Sequence, residues 1–160
     1  MYNKIKTDSF GRPMQPKLHT EPSFKEYLRD ELSIDHKFTK VELEDSKWHT
    51  TSENKQKVWH VQVELVCVGN EYSPEKFSTY FGTGHETISI EGVLLILVRE
   101  YKDIMEMSAV DLLENDWGYD LFDMVQNCRE MLSNAKRLQR AIGIENVSKL
   151  FGYFEDKGEW

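Results

Sequence analysis

Apolar and polar side chains alternate from Lys57 to Val68 (Lys57-Val-Trp-His-Val-Gln-Val-Glu-Leu-Val-Cys-Val68), the period-two signature of a strand with one buried face. A Gly69-Asn70 turn follows, and Phe77-Ser-Thr-Tyr-Phe81 makes a second β-like run that ends in Gly82-Thr83-Gly84-His85. Val41 and Leu43, interleaved with Lys40, Glu42 and Glu44, predict an earlier strand reaching toward Trp48. The polar run from Thr50 to Gln56 closes a hairpin onto the 57–68 strand. These segments predict three antiparallel strands.

Elsewhere the period is helical. Phe24, Tyr27, Leu28 and Leu32 predict a first helix from Glu21 or Pro22 to Leu32, with Ser23 as N-cap three residues before Glu26. Ser89 caps a second predicted helix to about Tyr101, although Gly92 and the β-branched Ile88, Ile90, Val93, Ile96 and Val98 leave a strand open for part of it. A short helical piece, Ala109 to Asn115, follows Ser108 and is broken by Trp117-Gly118-Tyr119-Asp120. The strongest pattern runs from Asp120 to Ala141, where Leu121, Val125, Cys128, Leu132, Ala135, Leu138 and Ile142 form one apolar stripe ahead of a stop at Gly143. Val147, Leu150, Phe151 and Phe154 predict a last helix from Glu145 to about Phe154. Strands first and helices later specify an α+β fold, a small antiparallel sheet of about three strands packed against four or five helices.

Charge refines this picture. The chain of 160 residues has a formal net charge of −8. Residues 1–20, with Gly11, Pro13 and Pro16, hold four basic residues against Asp8 and read as a flexible basic arm; residues 21–160 read as one acidic domain. An acidic body repels phosphate backbones, which disfavours direct nucleic-acid binding, and it suits a partner protein with a basic surface. The longest apolar run, Val93 to Val98, is far short of the roughly 20 residues that span a bilayer. Cys67 and Cys128 stand apart in different predicted elements and the N-terminus lacks a signal-peptide pattern, so the expected setting is a reducing cytoplasm.

Three short segments carry a resemblance: Tyr80-Phe81-Gly82-Thr83-Gly84; Leu113-Glu114-Asn115-Asp116-Trp117-Gly118-Tyr119-Asp120; and Cys128 through Lys136-Arg137-Leu138-Gln139-Arg140. From about Trp59 onward, their order resembles a group of small, uncharacterised phage and prophage proteins. The chain departs from that group at Ile90-Glu91-Gly92, where the middle helix of the group has an acidic start. The resemblance implies a bacteriophage or mobile-element setting, hence the cytoplasm of a bacterial host cell, and carries no activity with it.

Four constellations bear on chemistry. His49-Thr50-Thr51 and His85-Glu86-Thr87 match the His-x-Thr triplets of two-histidine phosphoesterases in residue type, but the middle residues are polar where that family has apolar ones. Gly82-Thr-Gly-His85 offers a tight turn whose glycines tolerate positive φ, or an anion loop without the Lys-Ser/Thr ending. His19, His36, His49, His60 and His85 lack metal-ligand spacing, and His60 reads as a solvated cross-strand partner. Lys136, Arg137 and Arg140 suit either a helix C-terminus or phosphates.

The expected function is therefore non-enzymatic, with no catalytic residue, metal or cofactor: a phage or mobile-element protein that binds another protein, as an inhibitor of a bacterial defence system of the CRISPR or restriction type. Glu42, Glu44, Asp45, Asp111, Glu114, Asp116 and Asp120 would imitate a row of phosphates, in company with Asp103 and Glu106, and Trp48, Tyr72 and Tyr119 would anchor the contact. An accessory replication or transcription factor using Lys136, Arg137 and Arg140 on single strands is the alternative, and the two-histidine phosphoesterase the second.

Overall fold

A computed structural model describes residues 7, 9–11, 14–45, 57–69, 73–106 and 121–159. The chain divides into two compact units: Met1–Leu65 with Lys76–Val93, and Val66–Glu75 with Leu94–Trp160. The fold is α+β, with a three-stranded antiparallel sheet, a small parallel pair of strands and, among the described residues, four helices.

In the first unit, β1 (Lys17–His19) falls inside the segment read from sequence as an arm and pairs in parallel with β5 (Thr87–Ser89), Leu18 opposite Ile88. Pro22 opens α1 (Pro22–Glu26), where its fixed φ suits the first helical turn and its missing N–H costs nothing. The N-cap is the extended Glu21, without a side-chain hydrogen bond, and the predicted cap Ser23 lies inside the first turn. Regular helix also stops earlier than predicted. Tyr27–Glu31 is a π-helical turn that buries Leu28, and Ser33 at φ 54 then redirects the chain straight into a strand.

That strand, β2 (Ile34–Asp45), begins six residues before the sequence pattern suggested; its less exposed positions change parity between Lys40 and Val41, so Ile34 and Phe38 do not extend the alternation of Val41 and Leu43. It pairs with β3 (Lys57–Cys67), which pairs with β4 (Glu75–Gly82). One face of β3 buries Trp59, Val61, Val63 and Leu65, each worth about 1.5–3 kcal/mol. At the far end of the unit the Ser89 hydroxyl accepts the Gly92 N–H at 3.1 Å, the N-cap expected from sequence. The residues before it form β5, so strand and helix meet at Ser89, and α2 (Ile90–Glu106) runs a turn beyond the predicted end.

In the second unit, α3 (Leu121–Ile142) and α4 (Ile144–Asp156) are joined by Gly143. Its φ of 87° and ψ of 152° lie where only glycine is comfortable, and its N–H closes the helix onto the Gln139 carbonyl at 2.8 Å. Ala135, Leu138, Ala141 and Ile142 of α3 are buried, as are Val147, Leu150 and Phe154 of α4. Leu132, on the predicted stripe, is 39% exposed. The Ala109–Asn115 helix predicted from sequence lies outside the described residues.

Candidate functional site

The predicted acidic row divides between described and undescribed residues. Trp48, Asp111, Glu114, Asp116, Tyr119 and Asp120, like Tyr72 and His49, lie outside the described residues. Glu42, Glu44 and Asp45 end β2, and each has a cation on its own sheet. Lys40 Nζ is 3.2 Å from Glu42 and 3.9 Å from Glu44, while Lys57 Nζ is 2.5 Å from Asp45. Two lysines thus offset most of the charge of these three carboxylates, Lys40 being shared by Glu42 and Glu44.

Glu44 also reaches the next strand, where its Oε1 accepts the Nδ1–H of His60 at 2.8 Å. The His60 ring stacks on Tyr80 of β4, centroids 4.8 Å apart and planes 12° from parallel. Glu44, His60 and Tyr80 thus cross all three strands on one face. His60 is only 8% exposed, which corrects the expectation of a solvated partner: the Tyr80 ring covers one side and Glu44 the edge. Its Nε2 is buried without a hydrogen-bond partner among the described residues. Period-two alternation assigns Glu44 and His60 to the polar phase, but sequence does not give the register that brings them together.

His85 is exposed at the tip of the β4–β5 turn, its ring edge-on to Phe81 at 5.6 Å. Its amide is committed to the Gly82 carbonyl at 3.1 Å, so the turn closes on its own backbone. Neither Gly82 nor Gly84 has positive φ, which corrects the reason given for these two glycines. Among the described residues, no three His, Cys, Asp or Glu side chains gather as metal ligands would.

The basic trio sits in the second unit. Glu75 is placed between two guanidinium groups of α3, its Oε2 3.2 Å from Arg137 Nε and its Oε1 3.7 Å from Arg140 Nε. Lys136 is exposed one residue away. Beside these cations lies an open groove of about 760 Å³, lined by Cys67, Val68, Gly69, Lys136, Gln139, Arg140, Ile142 and Gly143. Asn146 fixes the wall between them. Its amide donates to the Ile142 carbonyl at 2.8 Å and lies 3.8 Å from the Cys67 sulfur. The trio is legible in sequence as cations near the end of a helix, but the groove is not, since Cys67 and Gly143 are 76 positions apart.

Charge is distributed unequally between the units. The first has twelve Lys and Arg against thirteen Asp and Glu, the second eight against fifteen, so the second carries seven of the eight net negative charges. Comparison with protein-family models, with curated proteins and with solved structures yields no match to this chain. No helix among the described residues is long and apolar enough to cross a membrane.

Proposed function

We propose that this chain is a non-enzymatic phage or mobile-element protein that binds a basic protein surface. The observation that carries this reading is the concentration of net negative charge in one compact unit while the first unit is nearly balanced. A net excess of one sign on one body steers encounter with a surface of the opposite sign. The reading therefore gives the contact to the second unit, including the sequence around Asp111, Glu114, Asp116 and Asp120, and a smaller share to Glu42, Glu44 and Asp45. Within this reading the partner is a nucleic-acid-binding effector of bacterial defence, whose basic groove the carboxylates occupy, and the sequence resemblance supplies the setting.

Affinity capture from a bacterial lysate, at low salt and then at about 0.5 M salt, tests the proposal. The expected result is a basic nucleic-acid-binding protein that elutes as the Debye length falls toward 4 Å. Capture that persists at high salt, or retardation of single-stranded nucleic acid by the isolated protein in a mobility-shift assay, would favour another function.

A further inference from the structure

The groove beside the end of α3 is lined by cations and not by the carboxylates of the proposed function. Its volume of about 760 Å³ falls within the roughly 300–1,000 Å³ of small-molecule sites, which combine an apolar lining with a few placed polar groups. Val68, Ile142 and the two glycines give it an apolar, low-relief wall, and Val68 is 61% exposed although apolar. Lys136, Gln139 and Arg140 project from one helix onto its rim at i, i+3 and i+4. In a unit carrying seven net negative charges, this is a local cluster of cations. Glu75 bridges Arg137 and Arg140 and so restrains the guanidinium groups before any ligand arrives, which lowers the ordering cost of binding.

We infer that this groove is a binding site for a small organic anion, an oxyanion group attached to an apolar body. The oxyanion meets Lys136 and Arg140 and accepts from the Gln139 amide, and the body covers Val68 beside Gly69 and Gly143. Both carboxylates and phosphate monoesters have this chemistry, and the guanidinium fork of Arg140 suits either. A polyanionic macromolecule is a poorer occupant because the surrounding unit repels it.

Calorimetric titration of the full chain with phenyl phosphate and, separately, with hexanoate tests the inference, and alkylation of Cys67 by iodoacetamide locates the ligand. Peptide mass mapping reads Cys67 apart from Cys128. Saturable binding of at least one probe is expected, with matching protection of Cys67. Binding of phenyl phosphate alone identifies a phosphate monoester, and binding of hexanoate alone a carboxylate. Lys136 is exposed, so Lys136→Glu should leave the fold intact and weaken binding at least about tenfold, the loss of one charge-assisted contact. Val68→Asp should weaken it as well. Binding of neither probe, binding that leaves Cys67 unprotected, or binding unchanged by both substitutions would overturn the inference. None of these results bears on capture of a basic protein, so the two proposals fail independently.

Discussion

Glu44 and His60, sixteen residues apart on neighbouring strands, share a 2.8 Å hydrogen bond that joins the edge strand β2 to the sheet centre. The imidazole lies flat against Tyr80, so the carboxylate and the ring fix its orientation from two sides. Removing one partner leaves the Nδ1–H of a ring only 8% exposed in need of an acceptor. Glu44→Ala should therefore cost about 1–3 kcal/mol in chemical denaturation. A double-mutant cycle with His60→Ala should show a coupling of about 1 kcal/mol, and additive single effects would show that the two do not act as a pair.

Glu75 balances the cationic end of α3. Replacing it by Gln keeps the shape but withdraws the counter-charge from Arg137 and Arg140, whose side chains are about one-third and one-half exposed. Glu75→Gln should lengthen retention on a heparin column, with a stability loss of about 1 kcal/mol or less because the pairs are solvent-screened. Unchanged retention would mean that the guanidinium groups stay masked by other partners.

Two titratable groups give opposite pH signatures. Burial holds the Glu100 carboxyl above its ordinary value of 4.5, and the charge of Asp103 adds to the rise. Its contribution is present in full below pH 4.5 and is lost as pH rises through the folded-state value. Glu100→Gln should therefore raise Tm at pH 7 and leave it nearly unchanged at pH 4. Burial, with Lys25 nearby, holds His36 below its ordinary value of 6.5, only partly offset by Asp35. Stability from this group is intact above pH 6.5 and falls as pH drops through the lowered value. His36→Gln should flatten the Tm profile just below pH 6.5, and an unaltered slope there would assign it to other groups.

Gly143 and Gly92 should respond oppositely to Ala. Around Gly143 an added Cβ meets nothing within 4 Å, so the cost of Gly143→Ala is backbone strain at φ 87°, about 1–3 kcal/mol. Gly92 lies in α2 at ordinary φ, where a Cβ would touch the Ser89 hydroxyl oxygen at 3.5 Å, normal van der Waals contact. Gly92→Ala should stabilise the protein by up to about 1 kcal/mol through helix propensity. Thermal denaturation of both variants provides the check, and equal effects would contradict the backbone argument.

Local chemistry was legible in the chain itself. Period-two alternation over Lys57–Val68 marked β3 to within one residue, helical spacing placed α3 and α4, and Ser89 and Gly143 marked a start and a stop, because each signal lies within a few residues of what it controls. The early start of β2 was hidden because π-helical Tyr27–Glu31 and Ser33 deliver the chain into extension without a glycine or proline signal. Strand register, and with it the burial of His60 under Tyr80, depends on pairing across a hairpin whose length leaves the alignment open. The meeting of Cys67 and Gly69 with Lys136 and Arg140, and of Glu75 with Arg137, was likewise decided only by tertiary structure. Sequence patterns report how each segment partitions between water and an apolar interior; which segments then share a surface depends on packing between positions far apart in the chain.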